Sequence, residues 1–401
     1  MTSDNPLEDG AKFTRDRLTL LAYGMAISFG FGVSVMGPAM PAMREDLGLS
    51  RTIGGLHFTA LAVGAIVAGF LVDRFSATWG RRNVFWLGGT GVALGTLLIG
   101  LGWHPVVTMC GAIVVGFAGI SLVTSSEAAL ADRHPVHRPV ALTEVNIAIS
   151  VGSVIPALLV GGSLAIGAGW RPPLVLPLLI LVLHRLVYRA EIFPPLVATG
   201  PARITGELPG AYWFFWAAFV PSVAAEWSLG AWGAGYLVDV AGTSEGAASF
   251  LMAAFFGAML VGRFIGGGLA RVIGPMLLLA GTSAVGLGGF LLFWASESVV
   301  VVVGGLLVAG LGISMQFPML LSLAIGTAPQ RVDTASARIS ISSGASILVG
   351  PLLLGAIADQ AGLRSAFAVV PGLFVVVFVL AALGRRADAM SRRDASSPQG
   401  T

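Results

Sequence analysis

The chain has 401 residues, of which 56% are hydrophobic and 11% charged, against roughly a quarter charged in an ordinary soluble domain. That composition excludes a water-soluble fold and leaves no room for a large soluble catalytic domain. The formal charge of +3 comes from basic residues scattered singly between apolar runs, so no nucleic-acid partner is expected.

Crossing a bilayer takes about 20 apolar residues. Read on that scale, the sequence predicts spans near residues 18–42, 52–72, 83–102, 105–130, 139–167 and 172–189. A polar, proline-bearing stretch follows, and then six more spans near 210–238, 246–269, 275–296, 298–327, 335–358 and 365–384. The expected organisation is a tail over 1–17, a six-helix bundle over 18–189, a loop over 190–209, a second bundle over 210–384 and a tail over 385–401. The first helix is expected to be retained, because its apolar run is too long, and a second span follows too soon, for a cleaved leader. The 55 glycines show no collagen-like period and point to close backbone contact between membrane helices. Cys110 is the single cysteine, which excludes an intramolecular disulfide and a thiolate metal cluster.

If the N-terminus is cytoplasmic, 19 of the 23 lysines and arginines fall on that side, leaving only Arg44, Arg51, Arg171 and Arg364 outside. The positive-inside rule then puts both termini in the cytoplasm, with the chain multi-pass in the inner membrane. Trp79, Trp103, Trp170, Trp213 and Trp294 fall near span ends, either as headgroup anchors or by chance.

The halves are alike. Gly69-Phe-Leu71-Val-Asp73-Arg74 closes the second span, and Gly267-Gly-Leu269-Ala-Arg271 closes the eighth. Pro156 with Gly161-Gly162 in the fifth span answers Gly350-Pro351 with Gly355 in the eleventh. Six helices repeated in parallel suggest a cavity at the repeat interface.

From 18 to 384 the chain resembles the major facilitator superfamily. The family signature after the second span is matched by Gly69, Leu71, Asp73 and Arg74, then Gly80, Arg81 and Arg82. Phe75 to Trp79 stand where the family has one residue, a lengthening of four. The resemblance implies an all-α membrane protein, with twelve transmembrane helices in two six-helix halves related by a pseudo-two-fold axis. It further implies a transporter rather than an enzyme, without a cofactor, in which one chain is the working unit. In the family Asp73 would engage the start of the eleventh span, where Arg338 lies. Physically, a carboxylate there meets exposed amides and a positive helix dipole. In the second half Arg271 occupies the aspartate position and Glu144 lies at the start of the fifth span. Either the latch is kept with its charges exchanged, or Arg271 only follows the positive-inside rule.

Ionisable groups at membrane depth are costly enough to suggest function. Glu226 lies deepest, with Gly230 and Gly233 on its helical face, and is expected either to exchange a proton as a cavity hydrates and closes or to be held by a neighbouring helix. Glu127, after Thr124-Ser125-Ser126, is a second proton or substrate group, or a gating partner of Arg133 or Arg138. Asn146 could serve a ligand or another helix. Gln316, two residues before Pro318, offers a donor and an acceptor inside the bundle, and the resemblance makes it a site partner of Glu226. Trp227 and Trp232 either stack on a sugar or aromatic ring or pack between helices.

Other chemistries lack their motifs. There is no phosphate loop for ATP, and His57, His104, His134, His137 and His184 form no His-Glu-x-x-His metal pair. The antiporter pattern of the fifth span is incomplete, with Ile155 before Pro156 where it has glycine. The expectation is a secondary active transporter for a small organic solute, coupled to protons through Glu226 and Glu127. Uptake by symport, efflux by antiport and solute sensing without flux remain distinct readings.

Overall fold

The computed structural model describes residues 13–195, 207–270 and 272–396, so Arg271 and most of the 190–209 loop lie outside the described residues. Among the described residues the regular structure is helical throughout. In the first half α1 spans Arg17–Ser34, α2 Met36–Leu47, α3 Arg51–Trp79, α4 Arg81–Leu101, α5 Pro105–Arg133, α6 Arg138–Ala165 and α7 Leu176–Tyr188, the last entered through a 3-10 turn at Pro172–Val175. In the second half α8 spans Gly210–Asp239, α9 Glu245–Leu269, α10 Pro275–Ala295, α11 Val299–Ile313, α12 Gln316–Thr327, α13 Val332–Ala366 and α14 Val369–Ser396.

Local chemistry sets the helix ends. Asp16, Ser50 and Ser244 accept hydrogen bonds from backbone N–H groups three residues on, and prolines open α5 and α10, as N-caps and first-turn prolines do. Val35 keeps helical torsions and its N–H bonds to Phe31 O, so α1 and α2 form one crossing. The lengthened segment after Asp73 is absorbed as helix: α3 runs on to Trp79, with the Phe75 and Trp79 rings stacked 4.7 Å apart, and Gly80 turns the chain into α4 at φ 78°, a conformation glycine favours.

Among the described residues ten helices are long and apolar enough to cross a membrane, and Pro172–Tyr188 is a shorter apolar one. The 30-residue α8 is set apart by four tryptophans and two tyrosines, whose polar tips lower its hydropathy. Of the five tryptophans expected at span ends, Trp103 is exposed, whereas Trp170 is buried with its indole N–H on Asp46.

Packing repeats between the halves. In the first, α4 packs on α5, α3 on α5 and α1 on α6; in the second, α10 on α11, α9 on α11 and α8 on α13. The most extensive contacts between halves, α3 on α13 and α6 on α9, are pairs that a two-fold axis exchanges. Backbones meet closely: a Cβ on Gly116 would lie 2.0 Å from Leu61 O, so only glycine lets α5 approach α3 there.

The core is continuous at one end only. Phe31, Met40, Trp232, Phe255 and Phe367 belong to one buried cluster that joins both halves at the face far from the termini. Toward the terminal face the buried clusters separate, one within the second half and two within the first. The halves are therefore closed at the far face.

Candidate functional site

A cavity of about 270 Å³ lies between the halves, lined by α1, α2, α3, α5 and α6 on one side and by α8, α9 and α13 on the other. Phe29, Phe58, Trp227, Phe255 and Phe256 give it aromatic walls. Glu226 and Arg263 are its acid and its base. The Glu226 side chain is 22% exposed, and its Oε1 lies 3.9 Å from Arg263 Nη2. Arg263, 40% exposed, donates from Nη1 to Ser150 Oγ at 2.6 Å, so a second-half guanidinium is tied to first-half α6. The positive-inside count places Arg263 among cytoplasmic residues; the structure corrects this, because its head group lines the cavity. An arginine interrupting an apolar span was the available signal, the same one that singled out Glu226.

Polar groups continue toward the terminal face. Ser150 Oγ donates to Asn146 O at 3.0 Å, and Asn146 Nδ2 faces Glu127 Oε1 at 3.4 Å. The expected ion pair of Glu127 with Arg133 or Arg138 does not form, since Arg133 is held by Asp16 and Arg138 faces Asp132. Glu127 and Glu226 instead stand at the two ends of one polar track through Asn146, Ser150 and Arg263.

Beyond the cavity the far face is sealed. A Cβ on Gly37 would lie 2.1 Å from Gly230 O, so α2 and α8 touch backbone to backbone. Arg51 pairs with Asp239 at 2.5 Å, Thr59 Oγ1 donates to Leu348 O and Ser249 Oγ to Pro38 O. Each contact crosses between the halves.

The motif residues at the terminal face are apart. Asp73 and Arg74 are exposed, Asp73 has no hydrogen bond or ion pair among the described residues, and nothing lies within 4 Å of a Cβ on Gly69. Arg338 sits over the Trp213 ring instead, 5.1 Å from its centroid. The expected Asp73–Arg338 engagement is thus absent here, because the halves part at this end. Arg81 is nearly buried and holds Asp132 at 2.8 Å. Glu144 accepts from Arg15 Nε at 2.8 Å and from Tyr23 Oη at 2.8 Å, so its carboxylate is engaged within the first half; its expected partner Arg271 lies outside the described residues.

Three expected substrate groups, Asn146, Gln316 and Trp232, lie off the cavity lining. Gln316 is 1% exposed; its Oε1 accepts from Ser222 Oγ at 2.9 Å and its Nε2 faces Ser283 Oγ at 3.4 Å. Trp232 is buried, its indole N–H on Pro351 O at 2.9 Å. Trp227 does line the cavity.

Comparison with known proteins agrees with this architecture. An uncharacterised MFS-type transporter of Yersinia pestis is 26% identical over 369 residues, covering 90% of this chain and 93% of its own. A glucose/galactose transporter of Brucella abortus is 34% identical over 148 residues, 36% of this chain and 35% of its own. Among solved structures, a bacterial homologue of the human lysosomal transporter Spinster, inward-facing and unoccupied, superposes with a TM-score of 0.77 at 16% identity, covering 95% of this chain and 99% of that one. The family model of the Major Facilitator Superfamily matches residues 22–332 and again 210–399. Because those matches take in both halves that the packing relates by a two-fold axis, the chain belongs to the Major Facilitator Superfamily of multi-pass membrane transporters.

Proposed function

We propose that the chain is a secondary active transporter that carries a small organic solute across the cytoplasmic membrane by alternating access, with protons coupled through Glu226 and relayed by Glu127. The observation that carries this reading is one chamber between two halves, sealed at the far face and holding a carboxyl beside Arg263, whose guanidinium is bonded to the other half. Its volume lies near the lower end of ligand pockets, about 300–1,000 Å³, which suits a small solute. The excess of arginines at the terminal face supports a cytoplasmic location for both termini, which would make this the inward-open state.

The test is purified protein in liposomes with an imposed pH gradient and a solute panel of sugars, carboxylates and amines. Gradient-driven flux is expected for the wild type, and its loss with retained solute exchange for Glu226→Gln. Unchanged gradient-driven flux in that variant would remove Glu226 from the coupling.

A further inference from the structure

The charge inventory of the chamber narrows the solute. Among the described residues Glu226 and Arg263 are the charged side chains lining it, and together they are neutral. They are not equivalent: a carboxylate can be neutralised by a proton, whereas a guanidinium keeps its charge at any physiological pH. A closed chamber with net charge inside the bilayer is costly, so the loaded states that can cross are the neutral ones. An amine solute would leave one positive charge that Arg263 cannot shed. An uncharged solute is carried with the ion pair intact and gives a proton no role. A monoanion is neutral in the chamber only when Glu226 has taken a proton, which makes coupling obligatory.

Geometry supports the same choice. The 3.9 Å separation of Glu226 from Arg263 is too long for a hydrogen bond. Arg263 directs Nη1 to Ser150, which leaves other N–H donors for a planar acceptor. Of the two side chains Arg263 is the more exposed, 40% against 22%. Charged groups on the other helices packed against α8 are engaged at a distance: Arg338 of α13 sits over Trp213, Asp359 of α13 and Asp239 of α8 itself hold the start of α3, and Arg44 of α2 bonds to Leu49 O. Apart from Ser34, Ser150 and Ser153 the rest of the wall is aromatic and aliphatic.

Resting on the transport reading above, we infer that the solute is a small monocarboxylate with an aromatic or similarly apolar body, bound by its carboxylate to Arg263 in exchange for Glu226. The step balances: a proton from water adds to a Glu226 oxygen, the Arg263–Glu226 pair opens, and the solute carboxylate takes the vacated guanidinium donors. Release returns the proton to water and restores the pair. Empty and loaded chambers are both neutral.

The experiment uses the full chain in detergent, with benzoate, benzylamine and D-glucose as probes, read by Trp227 fluorescence and by proton uptake in weakly buffered solution. A Trp227→Phe control identifies the signal. Wild type is expected to bind benzoate with uptake of about one proton per benzoate, by the charge balance above, and to bind the other probes at least about tenfold more weakly, the worth of a charge-assisted hydrogen bond. Glu226→Gln is expected to bind benzoate without proton uptake. Arg263→Gln is expected to lose at least about tenfold in affinity, and Arg263→Lys to recover part of it, with an unchanged melting profile as the check on folding. Tighter binding of benzylamine or D-glucose than of benzoate, benzoate binding without proton uptake by the wild type, or no saturable benzoate binding overturns the inference. Flux in the liposome assay then reports the transport reading separately: solute flux with no carboxylate preference overturns only the substrate class, and benzoate binding with no carboxylate flux overturns only transport.

Discussion

Asp359 caps the first turn of α3 at Thr52: its carboxylate accepts from the Arg51 and Thr52 backbone N–H groups at 2.7 Å each and from Thr52 Oγ1 at 2.6 Å. A carboxylate on the free amides of a helix start is favoured by both hydrogen bonding and dipole. The same two helices, α3 and α13, carry at their opposite ends the relation expected for Asp73, in which α3 supplies the acid and α13 the amides. Closure at the far face thus uses that chemistry with the helices' roles exchanged.

Asp359→Asn is expected to weaken far-face closure by about 1 kcal/mol, a discounted value because the carboxylate is exposed. A Ser249→Cys reporter in a Cys110→Ser background would then react several-fold faster with a polar maleimide. Asp73→Asn, whose side chain is unpartnered among the described residues, should leave the reporter's rate unchanged in this state. Equal effects of the two variants would contradict the exchange of roles.

What could be read from residues alone follows from what periodicity and hydropathy encode. The spans, their repetition and the depth of Glu226 depend on local composition, and the helices appear near those positions. Facing does not depend on composition. Gln316 has the right depth, but its amide turns to Ser222 and Ser283 and away from the cavity. Arg263 has the depth and the facing, yet its charge also suited a topological tally, which hid it. Asp73 has the chemistry of a latch, but whether it is engaged depends on which face is closed.

Gly37 and Gly230 define the sealed floor. A side chain at Gly37 meets backbone at 2.1 Å, where no rotamer offers relief. Gly37→Val is expected to exclude the far-closed state by several kcal/mol, as overpacking of backbone contacts does. Maleimide labelling at Ser249→Cys should become fast and net transport should stop, while the protein still elutes as a folded species. Retained cycling would show that α2 and α8 can close with a wider gap.

Gln316 should matter for stability and not for affinity. Replacing it with Met, of similar length, leaves the Ser222 and Ser283 hydroxyls without their amide, and a buried unsatisfied polar group costs about 1–3 kcal/mol. The melting temperature of Gln316→Met is expected to fall while the solute Kd stays within about twofold, well under the loss expected from removing a contacted hydrogen bond. A large affinity loss with unchanged melting would put Gln316 back in the binding site.

The tether of the N-terminal segment is expected to loosen with acid. Burial alone would raise the Asp16 carboxyl, but hydrogen bonds from the Thr19 side chain and backbone, with Arg133, outweigh it and hold it below its usual range. Burial pushes the His134 ring down, where it bonds Thr19 Oγ1 at 2.8 Å. Both groups are depressed in the folded chain, so each stabilises above its ordinary value and loses that contribution as pH falls. His134 acts first, below about 6.5, and Asp16 below about 4. Wild type should lose melting temperature between pH 7 and 5, and His134→Asn should lose less. An equal loss in both would assign the acid sensitivity elsewhere.

The charge balance of the chamber makes a prediction about driving force. A carrier moving one net charge gains about 2.3 kcal/mol from 100 mV, which supports roughly fifty-fold accumulation. Neutral empty and loaded states gain nothing from the potential, whereas one pH unit still supplies a factor of about ten through the bound proton. In liposomes loaded with potassium and treated with valinomycin, the accumulation of a carboxylate whose free acid does not cross bare lipid should therefore be unchanged by the imposed potential. The same vesicles with an imposed pH gradient should accumulate it about tenfold. Accumulation that rises with the potential would mean that charge crosses with the solute, and the pairing of one proton at Glu226 with one carboxylate at Arg263 could not stand.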